Sequence, residues 1–229
     1  MVSIGTACAV CAGWVRQEKD QRNVVAWVRQ QGGYVRYEST RKFSGQEAFD
    51  LHAYVPTWLA SQLGRDFFSR VRTVSLAETK VKDLTPLTRL AGLEDLHIDD
   101  TQLRDLSPLR QCSDLRFLGM SSTPVTDISP LSELQELREL NLGYTDISDL
   151  APLENSSNLS SLDLYGSGVK DLSPLRRLTA LYSVGLDKAQ ASGNNLKYLS
   201  ELPHLSRVIV SGIYPQDTMQ RIEALRSAP

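Results

Sequence analysis

Few residues in this chain have the types and spacing that chemistry needs. Cys8 and Cys11 form a C-x-x-C, a spacing suited to thiol exchange when it opens a helix after a strand. Here it falls in an uncharged stretch, residues 1–15, with no strand–helix–strand pattern around it, so redox or metal chemistry is the minor reading. His97 and Asp99 sit two apart, on one face of a strand, but a general base also needs a cleft and a nucleophile. His52, His97 and His204 are scattered, and Cys112 reads as a small core hydrophobe. Asp83, Asp105, Asp127, Asp149 and Asp171 would stack at about 5 Å in neighbouring strands. Their mutual repulsion in water, about 0.8 kcal/mol per pair, is small enough for local hydrogen bonds to offset. A turn role for these aspartates is therefore preferred over calcium binding. No catalytic residue, metal ligand or cofactor is assigned.

The spacing of those aspartates leads to the elements that hold them. Val71, Leu93, Leu115, Leu137, Leu159 and Leu181 are 22 residues apart. With each as position 1, position 4 is Val74, Leu96, Leu118, Leu140, Leu162 and Val184, and position 6 is Leu76, Ile98, Met120, Leu142, Leu164 and Leu186. Fixed-period self-similarity is the signature of a repeat architecture. Alternation at 4 and 6 makes a short strand with one buried face, and stacking such strands builds a parallel sheet. Position 9 is Thr79, Thr101, Thr123, Thr145 and Ser167, whose hydroxyls are expected to bond the backbone of neighbouring coils. Thr85, Ser107, Ser129 and Ser173 each precede a proline, which reads as a helix N-cap followed by proline at N1. Ala151 breaks that pattern, and Cys112 and Ser156 replace leucine at position 20, where looser packing is expected. The fold class is an α/β solenoid.

The motif L-x-x-L-x-L-x-x-T-x-V-x-D-L-x-P-L resembles the bacterial leucine-rich repeat, in its 22-residue internalin-like and phosphatase-regulator-like forms. The resemblance is strict over about half the chain and extends, in degenerate form, to nearly two-thirds of it. Threonine stands where that family usually places asparagine. The resemblance implies a right-handed horseshoe with a concave parallel sheet, a convex side of short 3₁₀ or helical turns, and helical caps. In that architecture positions 3, 5, 7 and 8 face outward on the concave side. Aromatic and acidic residues mix there, and His97, Asp99, Phe117, Glu139, Asn141, Tyr144, Asp163 and Tyr165 are the candidate partner-binding residues. Exposed rings among carboxylates suit recognition of a protein or peptide. The expected function is a non-catalytic binding scaffold, and fold-level analogy does not name the ligand.

The ends differ from the repeats. Residues 15–31 read as a helix ended by Gly32-Gly33, Tyr34 to Tyr37 as a strand, 39–55 as a surface loop, and the stretch from Pro56-Thr57-Trp58 as a capping helix. This front end resembles that of a group of uncharacterised bacterial leucine-rich proteins, which often carry a membrane span before the first helix. Residues 1–15 are too short to span a bilayer and lack a basic start. They read as the remainder of an anchor or as an apolar arm, with Trp14 and Arg16 favouring the anchor. An envelope-associated, anchored structural protein is thus the alternative function, and a membrane-anchored or exported location is favoured over a cytoplasmic one. At the back, Leu205, Val208 and Val210 restart the strand pattern after 24 residues. Asp217 or Thr218 is expected to cap a last helix carrying Met219, Ile222 and Leu225. The expected divisions are 1–15, 16–70, 71–212 and 213–229.

Composition agrees. There are 34 leucines among 229 residues, roughly 15% of the chain, whereas aromatics are 7%, so one side chain solves the packing repeatedly. A net charge of −2 gives no case for nucleic acid. Residues 1–70 carry +3 and the remainder −5. Three cysteines exclude a disulfide scaffold. A monomer is expected.

Overall fold

The computed structural model describes residues 4–38, 70–211 and 215–227. Helix α1, Ile4–Gln30, is followed by strand β1, Tyr34–Glu38. Then come β2, Arg70–Ser75; β3, Asp95–His97; β4, Phe117–Gly119; β5, Glu139–Asn141; β6, Ser161–Asp163; β7, Ser183–Leu186; and β8, Arg207–Val210. The strands lie side by side in chain order in one eight-stranded sheet. From β2 onward every pair is parallel, and Val74, Leu96, Leu118, Leu140, Leu162, Val184 and Val208 stand opposite one another in succession. The last step spans the 24 residues expected from the sequence. In the five coils from 71 to 180, positions 1, 4, 6, 11, 14 and 17 are buried without exception. The leucine excess is therefore one continuous core.

Beneath the sheet each coil turns back through a short 3₁₀ helix, such as Ser107–Gln111 or Ser129–Glu133. Its N-terminus corrects the sequence reading. The serine is the first residue of the 3₁₀ helix, the preceding leucine or isoleucine occupies the N-cap, and no side chain caps from that position. The cap comes from the aspartate two residues before the serine. Oδ1 of Asp83, Asp105, Asp127, Asp149 and Asp171 each accepts the N–H two residues on at 2.8 Å. An Asx turn of this kind satisfies a donor the helix leaves orphaned. The hydroxyls of Ser107 and Ser173 donate back to the same aspartates at 2.5 and 2.8 Å. With only the N–H to bond, Asp149 starts a shorter helix, Ala151–Leu153.

The threonines also differ from expectation. Their hydroxyls donate within their own coil, to the carbonyl three residues back: Thr79 to Leu76 at 2.6 Å, Thr101 to Ile98 and Thr123 to Met120 at 2.8 Å, Thr145 to Leu142 at 2.7 Å. A hydroxyl next to its own turn needs no reach across the stack, and threonine is stiff at χ1. Where the series ends, the Gln190 amide donates to the Leu164 and Val169 carbonyls and the Ser167 hydroxyl of the coil before. Asn195 similarly bonds Lys170 and Leu172. Cys112 and Ser156 are both buried in the leucine layer. Burial pushes the Cys112 thiol up to about 11, which keeps it protonated at neutral pH.

Both ends of the stack are covered. At the front, Val24, Val25 and Val28 of α1 join the core, and β1 pairs antiparallel with β2. Gly33 N–H bonds Val28 and Gly32 N–H bonds Arg29, the pairing of a Schellman motif, with Gly32 left-handed at φ 91°. Gly33 passes so close to Ser75 that any Cβ would collide with its carbonyl. Residues 4–15, which include Cys8 and Cys11, are helical and continuous with this cap. Among the described residues no helix is long and apolar enough to cross a membrane. The loop expected at 39–55 and the capping helix expected from Pro56 lie outside the described residues. At the back, the 24-residue coil replaces its 3₁₀ turn with helix α2, Asn194–Ser200, and helix α3, Pro215–Ser227, packs on α2 and β8. The final helix thus begins before Asp217, which lies in its first turn rather than capping it. Ile222 is fully buried, and Arg226 donates to the Ser200, Leu202 and Leu205 carbonyls, tying the helix down.

Candidate functional site

The outward face of the sheet is shaped first by its backbone. At position 8 the chain must leave the strand while its N–H still continues the ladder into the next coil. Glu78, Asp100, Ser122 and Tyr144 donate to Asp99, Ser121, Gly143 and Tyr165 at 2.8–2.9 Å. To do so all four adopt left-handed backbone, with φ of 54–59°. Single residues other than glycine pay roughly 1–2 kcal/mol there. At Tyr144 this conformation carries a large ring that is 61% exposed.

The Tyr144 ring does not stand alone. It meets Tyr165 edge-on with centroids 5.1 Å apart. It lies over Gly166, where a Cβ would come within 2.9 Å of it. The Tyr165 side chain beside it holds Tyr144 above the ordinary phenol pKa. Ser211, and then Tyr144, hold the Tyr165 pKa below the ordinary phenol value. Two rings from adjacent coils are thereby fixed as one unit.

The other expected residues fall into two groups. Toward the front, the His97 ring lies 4.6 Å from that of Phe117, tilted by 38°. Asp99 Oδ1 accepts both the N–H and the hydroxyl of Ser121 at 2.9 Å, and Gly119 leaves room for its other oxygen, which a Cβ would approach to 2.7 Å. His97 turns to Phe117 and Asp99 to Ser121, and no bond joins the two, so the base pair weighed from the sequence is not assembled. Toward the back, Asn141 Oδ1 accepts Gly143 N–H at 2.9 Å and Asp163 Oδ1 accepts Tyr165 N–H at 3.0 Å. Glu139 is exposed on β5, between Phe117 and Ser161 of the flanking strands.

Sequence reasoning missed three contributors. Ile209 is half-exposed and stands opposite Gly185, on the outward face. The 24-residue restart that buries Val208 and Val210 already implied as much. Ser211 lowers the Tyr165 pKa, and the glycines at 119, 166 and 185 clear space for a larger side chain one coil earlier. Among the described residues no three His, Cys, Asp or Glu side chains converge to hold a metal ion.

Stacked 22-residue coils, a parallel sheet and convex 3₁₀ turns define a leucine-rich-repeat solenoid. A family model of leucine-rich repeats in two copies matches residues 135–177. Within that class the chain is similar to bacterial, internalin-like proteins. The crystal structure of an internalin C2 from Listeria monocytogenes is similar at 27% identity and a TM-score of 0.58, covering 64% of this chain and 67% of that one. A leucine-rich-repeat protein of Leptospira interrogans shares the fold at 22% identity and a TM-score of 0.51, over 64% of this chain and 38% of its own. No curated protein matches the chain.

Proposed function

We propose that this protein is a non-catalytic scaffold that binds a protein or peptide on the concave face of its sheet. The contact surface comprises His97, Asp99, Phe117, Glu139, Asn141, Tyr144, Asp163 and Tyr165. The observation that carries this reading is the Tyr144–Tyr165 pair. A strained, exposed ring braced by a second ring contributes nothing to the core, yet it presents rigid amphipathic area of the kind interfaces use. The leucine-rich repeats and the internalin-like neighbour support an interaction role.

Capture from a bacterial lysate on the immobilised full chain tests this. Partners retained by the native protein are expected to be lost from a Phe117→Ala, Tyr144→Ala, Tyr165→Ala variant of unchanged stability. Identical partner sets would remove the concave-face assignment.

A further inference from the structure

Away from this face, several charges of the solenoid pair between neighbouring coils. Arg72, on β2, and Arg116, just before β4, flank Glu94. Around the convex side, Arg110 pairs with Glu133, Arg176 with Glu201 and Arg177 with Glu154. The concave positions of the four coils from 93 to 180 hold Asp95, Asp99, Asp100, Glu139 and Asp163 and no lysine or arginine. Cations on the sheet lie toward its two ends, at Arg36 on β1 and Arg70 and Arg72 on β2, and at Lys188 and Arg207 near β8. The bonds that hold these carboxylates come from neutral groups: the Thr73 hydroxyl on Asp95, Ser121 on Asp99, and the Tyr165 N–H on Asp163. Such bonds fix the oxygens without neutralising them. A concave surface lined by one sign of charge concentrates the field in front of it.

Resting on the reading of the concave face as the binding surface, we propose that its occupant is an extended, positively charged segment of a partner protein. One lysine or arginine of that segment lies against the Tyr144–Tyr165 pair beside Asp163, and another reaches Asp99 and Asp100. Charge complementarity selects the sign, and the exposed ring faces offer a cation a second form of attraction. The geometry sets the spacing. The two acidic groups are three coils apart, about 14 Å at strand spacing, which an extended chain covers in about four residues.

The test uses the full chain and labelled Gly/Ser peptides carrying two arginines four residues apart, with citrulline or glutamate versions as controls. The arginine peptide is expected to bind, to weaken with added salt, and to outcompete both controls. Asp99→Asn with Asp163→Asn is expected to weaken it about tenfold, the sum of two exposed ion pairs. Removing the same charge from the turns before β4 and β5, by Asp114→Asn with Glu136→Gln, is expected to leave binding unchanged. Equal loss in both variants, equal binding of the citrulline peptide, or no binding of the arginine peptide would overturn the proposal. If the arginine peptide fails while captured partners still depend on Phe117, Tyr144 and Tyr165, the charge assignment falls and the scaffold reading stands. If those partners are independent of the three rings as well, both fall.

Discussion

Tyr144 rests its ring over Gly166, the residue that occupies its own place one coil later. The left-handed backbone at both positions and the missing Cβ at Gly166 together create the seat for the ring. A Gly166→Ala substitution therefore adds a methyl within 2.9 Å of the ring and forces alanine to φ 68°. It is expected to destabilise the protein by about 1–2 kcal/mol, read by urea unfolding, and to weaken partner capture. Gly92 is the control. Its φ of 77° carries the same backbone cost, but nothing lies within 4.0 Å of an added Cβ except the end of Arg70, so Gly92→Ala is expected to lower stability and spare binding.

The aspartate series gives the fold a defined acid limb. Hydrogen bonds from the residue two positions on hold Asp83, Asp105, Asp127 and Asp171 below the ordinary 3.8. The hydroxyl is the larger cause at Asp83 and Asp105, and the N–H at Asp127 and Asp171. Repulsion from Asp105 acts the other way on Asp83 and Asp127, and it is the smaller effect. Because the folded pKa values lie below the unfolded ones, the unfolded chain binds more protons in the window beneath pH 3.8. The stabilisation is fully present above that pH and is lost as pH falls through the folded values. Asparagine at the four positions keeps an acceptor but removes the titration. The urea midpoint of that variant is expected to change less between pH 7 and pH 3 than that of the native protein.

The buried threonines make a separate prediction. Thr123 is 3% exposed, and its hydroxyl serves the Met120 carbonyl inside the turn. Thr123→Val keeps the shape and removes the donor, and is expected to cost about 1–2 kcal/mol in urea unfolding. Thr123→Ser is expected to cost less, since it retains the bond. A valine variant as stable as the native protein would place the carbonyl's satisfaction elsewhere.

How much of this was legible beforehand depends on whether the repeat itself encodes it. The buried strands were readable because core packing forces the same apolar residue at Leu96, Leu118, Leu140 and Leu162, and the period then fixes which residues become neighbours. The identity of the helix caps was not. In D-I-S-P-L two acceptors stand two residues apart, and only the backbone of Ile128 between them decides that Asp127 rather than Ser129 supplies the cap. The threonine hydroxyls posed the same problem, with acceptors available in their own coil and in the next. On the concave face, the candidates Tyr144 and Tyr165 were legible as outward positions. Their union over Gly166 was not, because a glycine in sequence does not say which side chain occupies the space it leaves.

The concave face as the site of partner contact is tested most directly by photocrosslinking from defined positions on the intact protein. A photoreactive phenylalanine analogue replaces Phe117 or Tyr144 on the concave face, and Arg110 or Arg176 on the convex side, in otherwise native chains. The expected result is that partner adducts form from the concave positions and are absent from the convex ones. Adducts that form equally from Arg110 or Arg176, or form there alone, would contradict the assignment.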